Sequence, residues 1–221
     1  MNTDVRPSGY RQFVGVFRIV LAALILTAVV YQITDRLIHG VFRPGEYFAF
    51  FTIQTSLMDV VVLVAGALYC FRHVHDTKLL TIVRMNIVAF SIVTCVVYNV
   101  LLRDVASEPG YVWPVWPNEL LHVWAPILLV LDWFFTQGRW DIRIRAAAWV
   151  LAYPLAWTAF SLVRGALTGW WPYPFLDPTG PAGVLGVVIY IVGIAAFFYV
   201  SALAVTGFAR LWVRLRAARV G

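Results

Sequence analysis

The sequence predicts an all-α fold: a polytopic membrane protein, a bundle of six transmembrane helices with N-in/C-in topology. Three observations carry this. The 221 residues are 62% hydrophobic and 13% charged, with a mean hydropathy of +0.80. A soluble domain has about 25% charged residues, and a chain this poor in charge must be covered by lipid. Six apolar runs each come close to the ~20 residues that cross ~30 Å of hydrocarbon at 1.5 Å per residue. Finally, the basic residues favour one set of alternate connections.

The runs cover residues 13–33, 48–71, 79–102, 118–135, 146–167 and 183–208. With short connections they use most of the chain, so residues 1–221 form a single integral membrane domain. The first run follows a basic stretch, as in a signal peptide, but it exceeds a typical h-region and lacks a small-residue cleavage site. It is expected to remain as a helix. The fourth run is the shortest, and Pro114 and Pro117 give it a rigid entry. Pro126 within it and Pro154 within the fifth predict kinks, which neighbouring helices tolerate by satisfying the freed carbonyls. No internal repeat or low-complexity tract is present.

With the N-terminus inside, the inner segments hold Arg6, Arg11, Arg72, Lys78, Arg139, Arg143, Arg145, Arg210, Arg214, Arg216 and Arg219. The outer segments hold Arg36, Arg43, Arg103 and Arg164. Eleven against four decides the orientation. Arg18 and Arg84 lie near inner helix ends and are expected to snorkel. The outer connections contain Gly-Tyr-Val-Trp-Pro-Val-Trp-Pro at 110–117 and Gly-Trp-Trp-Pro-Tyr-Pro-Phe-Leu-Asp-Pro-Thr-Gly-Pro at 169–181. An interfacial aromatic belt accounts for both, and a lid over a lipid site would use the same residues.

The net charge of +6 comes with no basic face or binding motif, so nucleic acid is not expected as a partner; membrane lipids are. Cys70 and Cys95 lie within apolar runs and are read as buried thiols. Sixteen arginines against one lysine suggest a GC-rich bacterial genome and hence the cell membrane of a bacterium.

Polar side chains inside lipid are costly, so their positions are informative. In the second run Thr52, Thr55, Ser56 and Asp59 fall at i, i+3, i+4 and i+7, one helical face that must look into the bundle. The hydroxyls suit interhelical hydrogen bonds. Asp59, near mid-membrane, is either protonated or bonded to a neighbour, or it serves a function. The fourth run carries Asn118, Glu119 and His122 near its outer end. Both helices start from the outer side, so Thr52 and His122 lie at similar depth. That is the placement a nucleophile and its base need, although a histidine near a helix end also serves structure. Ser91, Thr94 and Tyr98 in the third run, and Tyr153, Trp157, Ser161 and Arg164 in the fifth, either pack or line the same pocket. His73-x-His75-Asp76 has too few spaced ligands for a metal and is read as a solvated loop.

Phe-Thr-Ile-Gln-Thr-Ser-Leu at 51–57 resembles the Phe-Thr-x-Gln-Ser-Asn motif of the bacterial Pr6Pr membrane proteins. Asn118, Leu121-His122, Pro126 and Asp132-Trp133 resemble that family's second signature. Tyr153-Pro154, Arg164-Gly165 and Trp171-Pro172-Tyr173-Pro174-Phe175 resemble its third, so the likeness runs in order from about residue 13 to 205. Pr6Pr proteins in turn resemble, distantly, the androgen-induced and androgen-dependent TFPI-regulating membrane hydrolases, which cleave fatty acid esters of hydroxy fatty acids. The resemblance implies Thr52 as nucleophile and His122 as base. Thr55-Ser56 stands where the bacterial pattern has Ser-Asn, which removes an amide from the polar face.

The expected activity is therefore hydrolysis of a lipid ester near the outer leaflet, with Thr52 and His122 catalytic. Asn118, Asp59, Thr55 and Trp171 are expected to contact substrate, and no metal or organic cofactor is expected. Two other classes fit the same composition. One is a carrier or binding protein for a small amphipathic solute, to which Asp59 and the helix prolines point. The other is a non-catalytic assembly partner that uses the basic C-terminus.

Overall fold

The computed structural model describes residues 7–103, 105 and 111–220, with side chains through residue 211. Six helices are long and apolar enough to cross a membrane. They are α1 (Gly9–Ile38), α2 (Phe51–Arg72), α3 (Lys78–Leu102), α4 (Val115–Phe135), α5 (Ile144–Thr168) and α6 (Gly183–Val220), the last apolar through Leu211. No strand occurs among the described residues. Connections 39–50 and 169–182, with the described residues 103, 105 and 111–114, share one end of the bundle, here the aromatic end. Arg11 near the start of α1 and Arg210 late in α6 lie with 73–77 and 136–143 at the other, the basic end.

Local chemistry explains where the helices begin and change. Ser8 and Thr77 cap α1 and α3, accepting from the Arg11 and Leu80 N–H groups at 3.3 and 3.2 Å. Phe50 has no side chain to cap α2, so the first N–H groups of that helix lack a side-chain acceptor from their cap residue. Pro126 has no N–H to offer the His122 carbonyl. The helix accommodates this by widening into a π-turn over Leu120–Trp124, where the Ala125 N–H reaches the Leu120 carbonyl. The kink expected at Pro126 is thus a widened turn, and it contains His122. A second π-turn, Tyr98–Leu102, ends α3. In α5 a tighter 3-10 stretch, Ile144–Leu151, precedes the α-helix that starts at Ala152, just before Pro154.

Three apolar clusters pack the interior. Leu21, Ile25 and Val29 of α1 meet Ile53 and Leu63 of α2 and Leu129 of α4. Phe51, Phe90, Trp157 and Phe198 join α2, α3, α5 and α6 near the aromatic end. Met85, Trp133 and Val205 close the basic end, where the Trp133 indole N–H donates to the Val205 carbonyl at 3.1 Å. Large apolar side chains such as Val184, Leu185, Ile189 and Val192 of α6 remain exposed, as lipid-facing positions do.

Arg18 and Arg84 do not snorkel. Arg18 is 0% exposed and Arg84 3% exposed. Asp132 of α4 accepts from Arg18 Nε at 2.9 Å and from Arg84 Nη2 at 2.7 Å. Asp76 accepts from Arg84 Nη1 at 2.6 Å and from Arg11 Nη2 at 2.5 Å. Asp76 is itself buried, whereas His73 and His75 of the same connection are exposed, so the solvated reading holds for the two histidines and fails for the aspartate. Snorkelling is the cheap course for a lone charge, but here the carboxylates are at hand. Gly66 makes room for the guanidinium: a Cβ there would stand 3.0 Å from Arg18 Nη1, which donates to the Gly66 carbonyl.

Candidate active site at the aromatic end

Thr52 is the second residue of α2 and is buried. The rest of its polar face is buried with it. The Thr55 hydroxyl bonds back to the carbonyls of Phe51 and Thr52 at 3.0 and 3.1 Å. Asp59 is buried, and its Oδ1 has no partner among the described residues.

His122 lies in the widened turn of α4. Its Nδ1 is 2.8 Å from the Asn118 carbonyl oxygen. A carbonyl can only accept, so Nδ1 carries the proton and the Nε2 lone pair is left available. The imidazole stacks on Tyr98 of the other π-turn, with centroids 4.2 Å apart and planes 24° apart. The Asn118 amide donates to the Tyr98 hydroxyl at 2.8 Å, which donates to Glu119 Oε1 at 3.2 Å. Arg103 completes the chain by donating to Glu119 Oε2 at 3.1 Å. Two irregular turns are therefore pinned together, and the imidazole is held between them. π-turns are frequent at functional sites.

Two cavities meet here. The larger, about 280 Å³, is polar on one side, with Gln32, Arg36, Arg103 and Asn118 in its wall. The smaller, about 60 Å³, is walled almost wholly by apolar side chains of α3, α5 and α6, among them Val93, Leu155, Ile191 and Phe198. Thr52, Leu102, His122 and Tyr173 line both. The hydroxyl and the imidazole thus stand at the boundary between a polar vestibule and an apolar slot. No hydrogen bond joins Thr52 to His122 among those of the described residues.

Tyr173 comes from the connection after α5. Its phenol oxygen faces the Thr52 hydroxyl and the backbone N–H groups of Phe51 and Thr52. Burial raises its pKa, and these donors oppose the rise in part, so the phenol stays protonated. The connection is held by Gly169 in the left-handed conformation (φ 71°) and by Trp171 pressed onto Gly165. A Cβ at Gly165 would lie 2.3 Å from the Trp171 ring. The Trp157 indole N–H donates to the Ala49 carbonyl at 2.9 Å, and Tyr153 bonds Gln54, tying α5 to the start of α2.

No family model, curated protein or solved structure matches this chain. Function is therefore argued from the site. Of the six residues singled out in the sequence, Thr52, His122 and Asn118 line the larger cavity. Thr55, Asp59 and Trp171 line neither. Trp171 instead holds the loop that presents Tyr173. Sequence reasoning gave Tyr173 no role of its own, although it lies in the aromatic outer connection and in the third family signature, and it counted Arg36 only as an outer charge.

Proposed function

We propose that the protein is a membrane-embedded hydrolase of lipid esters. Thr52 is the nucleophile, His122 the general base, and the aromatic end lies at the outer leaflet with both termini cytoplasmic. The observation that carries this reading is the position of Thr52 and His122 on the boundary between the two cavities. A lipid ester bound here has the first carbons of its acyl chain in the slot, the rest of the chain running on between helices toward lipid, its polar part in the vestibule and its carbonyl between them. The excess of arginine at the basic end supports the orientation.

His122 Nε2 takes the Thr52 proton as Oγ1 attacks the acyl carbon. The Oγ1–C bond forms, the ester C–O bond breaks, and His122 returns the proton to the leaving alcohol. Water, deprotonated by His122, then attacks the acyl-threonine. The fatty acid leaves and the proton returns to Thr52 Oγ1. The Tyr173 hydroxyl, which faces Thr52, is the donor assigned to the oxyanion in this reading. The Asn118 amide is engaged with Tyr98. Fatty acid esters of hydroxy fatty acids, the substrates implied by the Pr6Pr resemblance, have the required shape. A carrier centred on Asp59 is less well supported, because Asp59 lines neither cavity.

The test is turnover of an ester lipid, and labelling by a fluorophosphonate, with purified protein. Thr52→Ala and His122→Ala are each expected to lower turnover by roughly 10²–10⁴-fold. Unchanged labelling and turnover in both variants would remove the proposal.

A further inference from the structure

We infer that Arg36 is the receptor for an anionic head group: the ligand of this site is an acyl amphiphile bearing a carboxylate or phosphate. This deepens the hydrolase reading and rests on it for the identity of the scissile bond.

Arg36 sits in the last turn of α1 and is 8% exposed. Its guanidinium carbon lies 4.8 Å from the centroid of the Trp113 ring, 5.4 Å from that of Tyr47 and 5.5 Å from that of Tyr111. Three aromatic faces thus hold the cation at the wall of the cavity. They accept its charge through their π-faces but do not take its five in-plane N–H donors.

The nearby acids among the described residues are engaged elsewhere. Asp35 accepts from the Tyr111 hydroxyl at 2.5 Å and lies 3.7 Å from His39. Glu46 pairs with Arg43 at 3.4 Å and Glu119 with Arg103 at 3.1 Å. Arg36 forms no ion pair and no side-chain hydrogen bond with any described residue. At the basic end, by contrast, the buried Arg11, Arg18 and Arg84 each have a carboxylate. The α1 C-terminal dipole offsets only part of the Arg36 charge. Among the described residues this held cation has no anion, and a buried cation so placed is costly unless a ligand supplies one.

The wall that Arg36 shares tells what the ligand is. Arg36 lines the 280 Å³ vestibule together with Thr52 and His122, and the apolar slot opens from the same two residues. A guanidinium fork matches the two oxygens of a carboxylate or phosphate. An anion at Arg36 and a hydrocarbon chain in the slot describe one molecule lying across the site.

The test is scintillation-proximity binding of tritiated palmitate to the full-length protein in dodecyl maltoside. Unlabelled palmitate is expected to compete at least tenfold better than methyl palmitate on the unaltered protein, a comparison that needs no variant. Competition by palmitoyl lysophosphatidate equal to palmitate means that the site reads the oxyanion; weaker competition means that it selects the carboxylate. Arg36→Met is expected to lower palmitate affinity at least tenfold and to erase the advantage over the methyl ester. Equal competition by palmitate and methyl palmitate on the unaltered protein overturns the inference. So does displacement by inorganic phosphate alone, which marks a free-anion site. Loss of head-group selection with Thr52-dependent hydrolysis intact sinks this inference alone. Selective binding with hydrolysis indifferent to Thr52 sinks the hydrolase reading alone.

Discussion

Asp132 offers the sharpest test of what holds the bundle together. It accepts from two buried guanidiniums, Arg18 at 2.9 Å and Arg84 at 2.7 Å, and from the Thr136 hydroxyl at 3.2 Å. Asp132→Asn keeps the shape and deletes the charge. Arg84 still has Asp76, but Arg18 has no other carboxylate among the described residues. Removing one member of a buried pair costs about 3–5 kcal/mol, because the survivor is left charged in a dry interior. The asparagine oxygen still accepts one hydrogen bond, which sets the expectation at the lower end, roughly 3 kcal/mol, or about a hundredfold in the unfolding constant. Equilibrium unfolding in mixed dodecyl maltoside and dodecyl sulfate micelles, followed by tryptophan emission, measures it. Combined with Arg18→Met, the double variant should lose less than the two single losses together, by about 1–3 kcal/mol. An Asp132→Asn protein within about 0.5 kcal/mol of its parent would refute the reasoning, since that is what a change away from any buried partner gives.

Two further expectations concern the site. Gly165→Ala puts a methyl 2.3 Å from the Trp171 ring and must push the 169–176 loop outward, carrying Tyr173 from Thr52. A loss of about 1–3 kcal/mol in the same unfolding assay is expected, with a fall in turnover, and normal turnover would count against the role given to this loop. Tyr98→Phe keeps the ring stacked on His122 but removes the hydroxyl that joins Asn118 to Glu119. Turnover should drop about tenfold while stability changes by only about 1 kcal/mol, the net worth of an ordinary hydrogen bond.

The helices were legible because lipid demands long apolar runs, and the runs read from sequence overlap all six helices. The common depth of Thr52 and His122 was also legible, since counting from alternate connections places both near one end. What stayed hidden depends on partners far apart in the chain. Arg18 and Asp132 are separated by 114 positions, and a lone arginine near a helix end reads as snorkelling until its carboxylate is seen. Pro126 signalled a disturbance, but not that it would take the form of a π-turn containing His122. Tyr173 and Arg36 belong to loops and helix ends, where no periodicity marks the direction of a side chain. Arg36 therefore counted only as one outer charge.

The charges at the basic end have a consequence for biogenesis. Helices are inserted in chain order, and the carboxylate that neutralises Arg18 arrives only with the fourth. Until then α1 holds a cation without that carboxylate, and only snorkelling toward the nearer interface keeps it in water. A chain cut short before residue 132 keeps that cation without its counter-charge. Only a chain synthesised past residue 132 can give Arg18 the carboxylate it holds in the folded bundle.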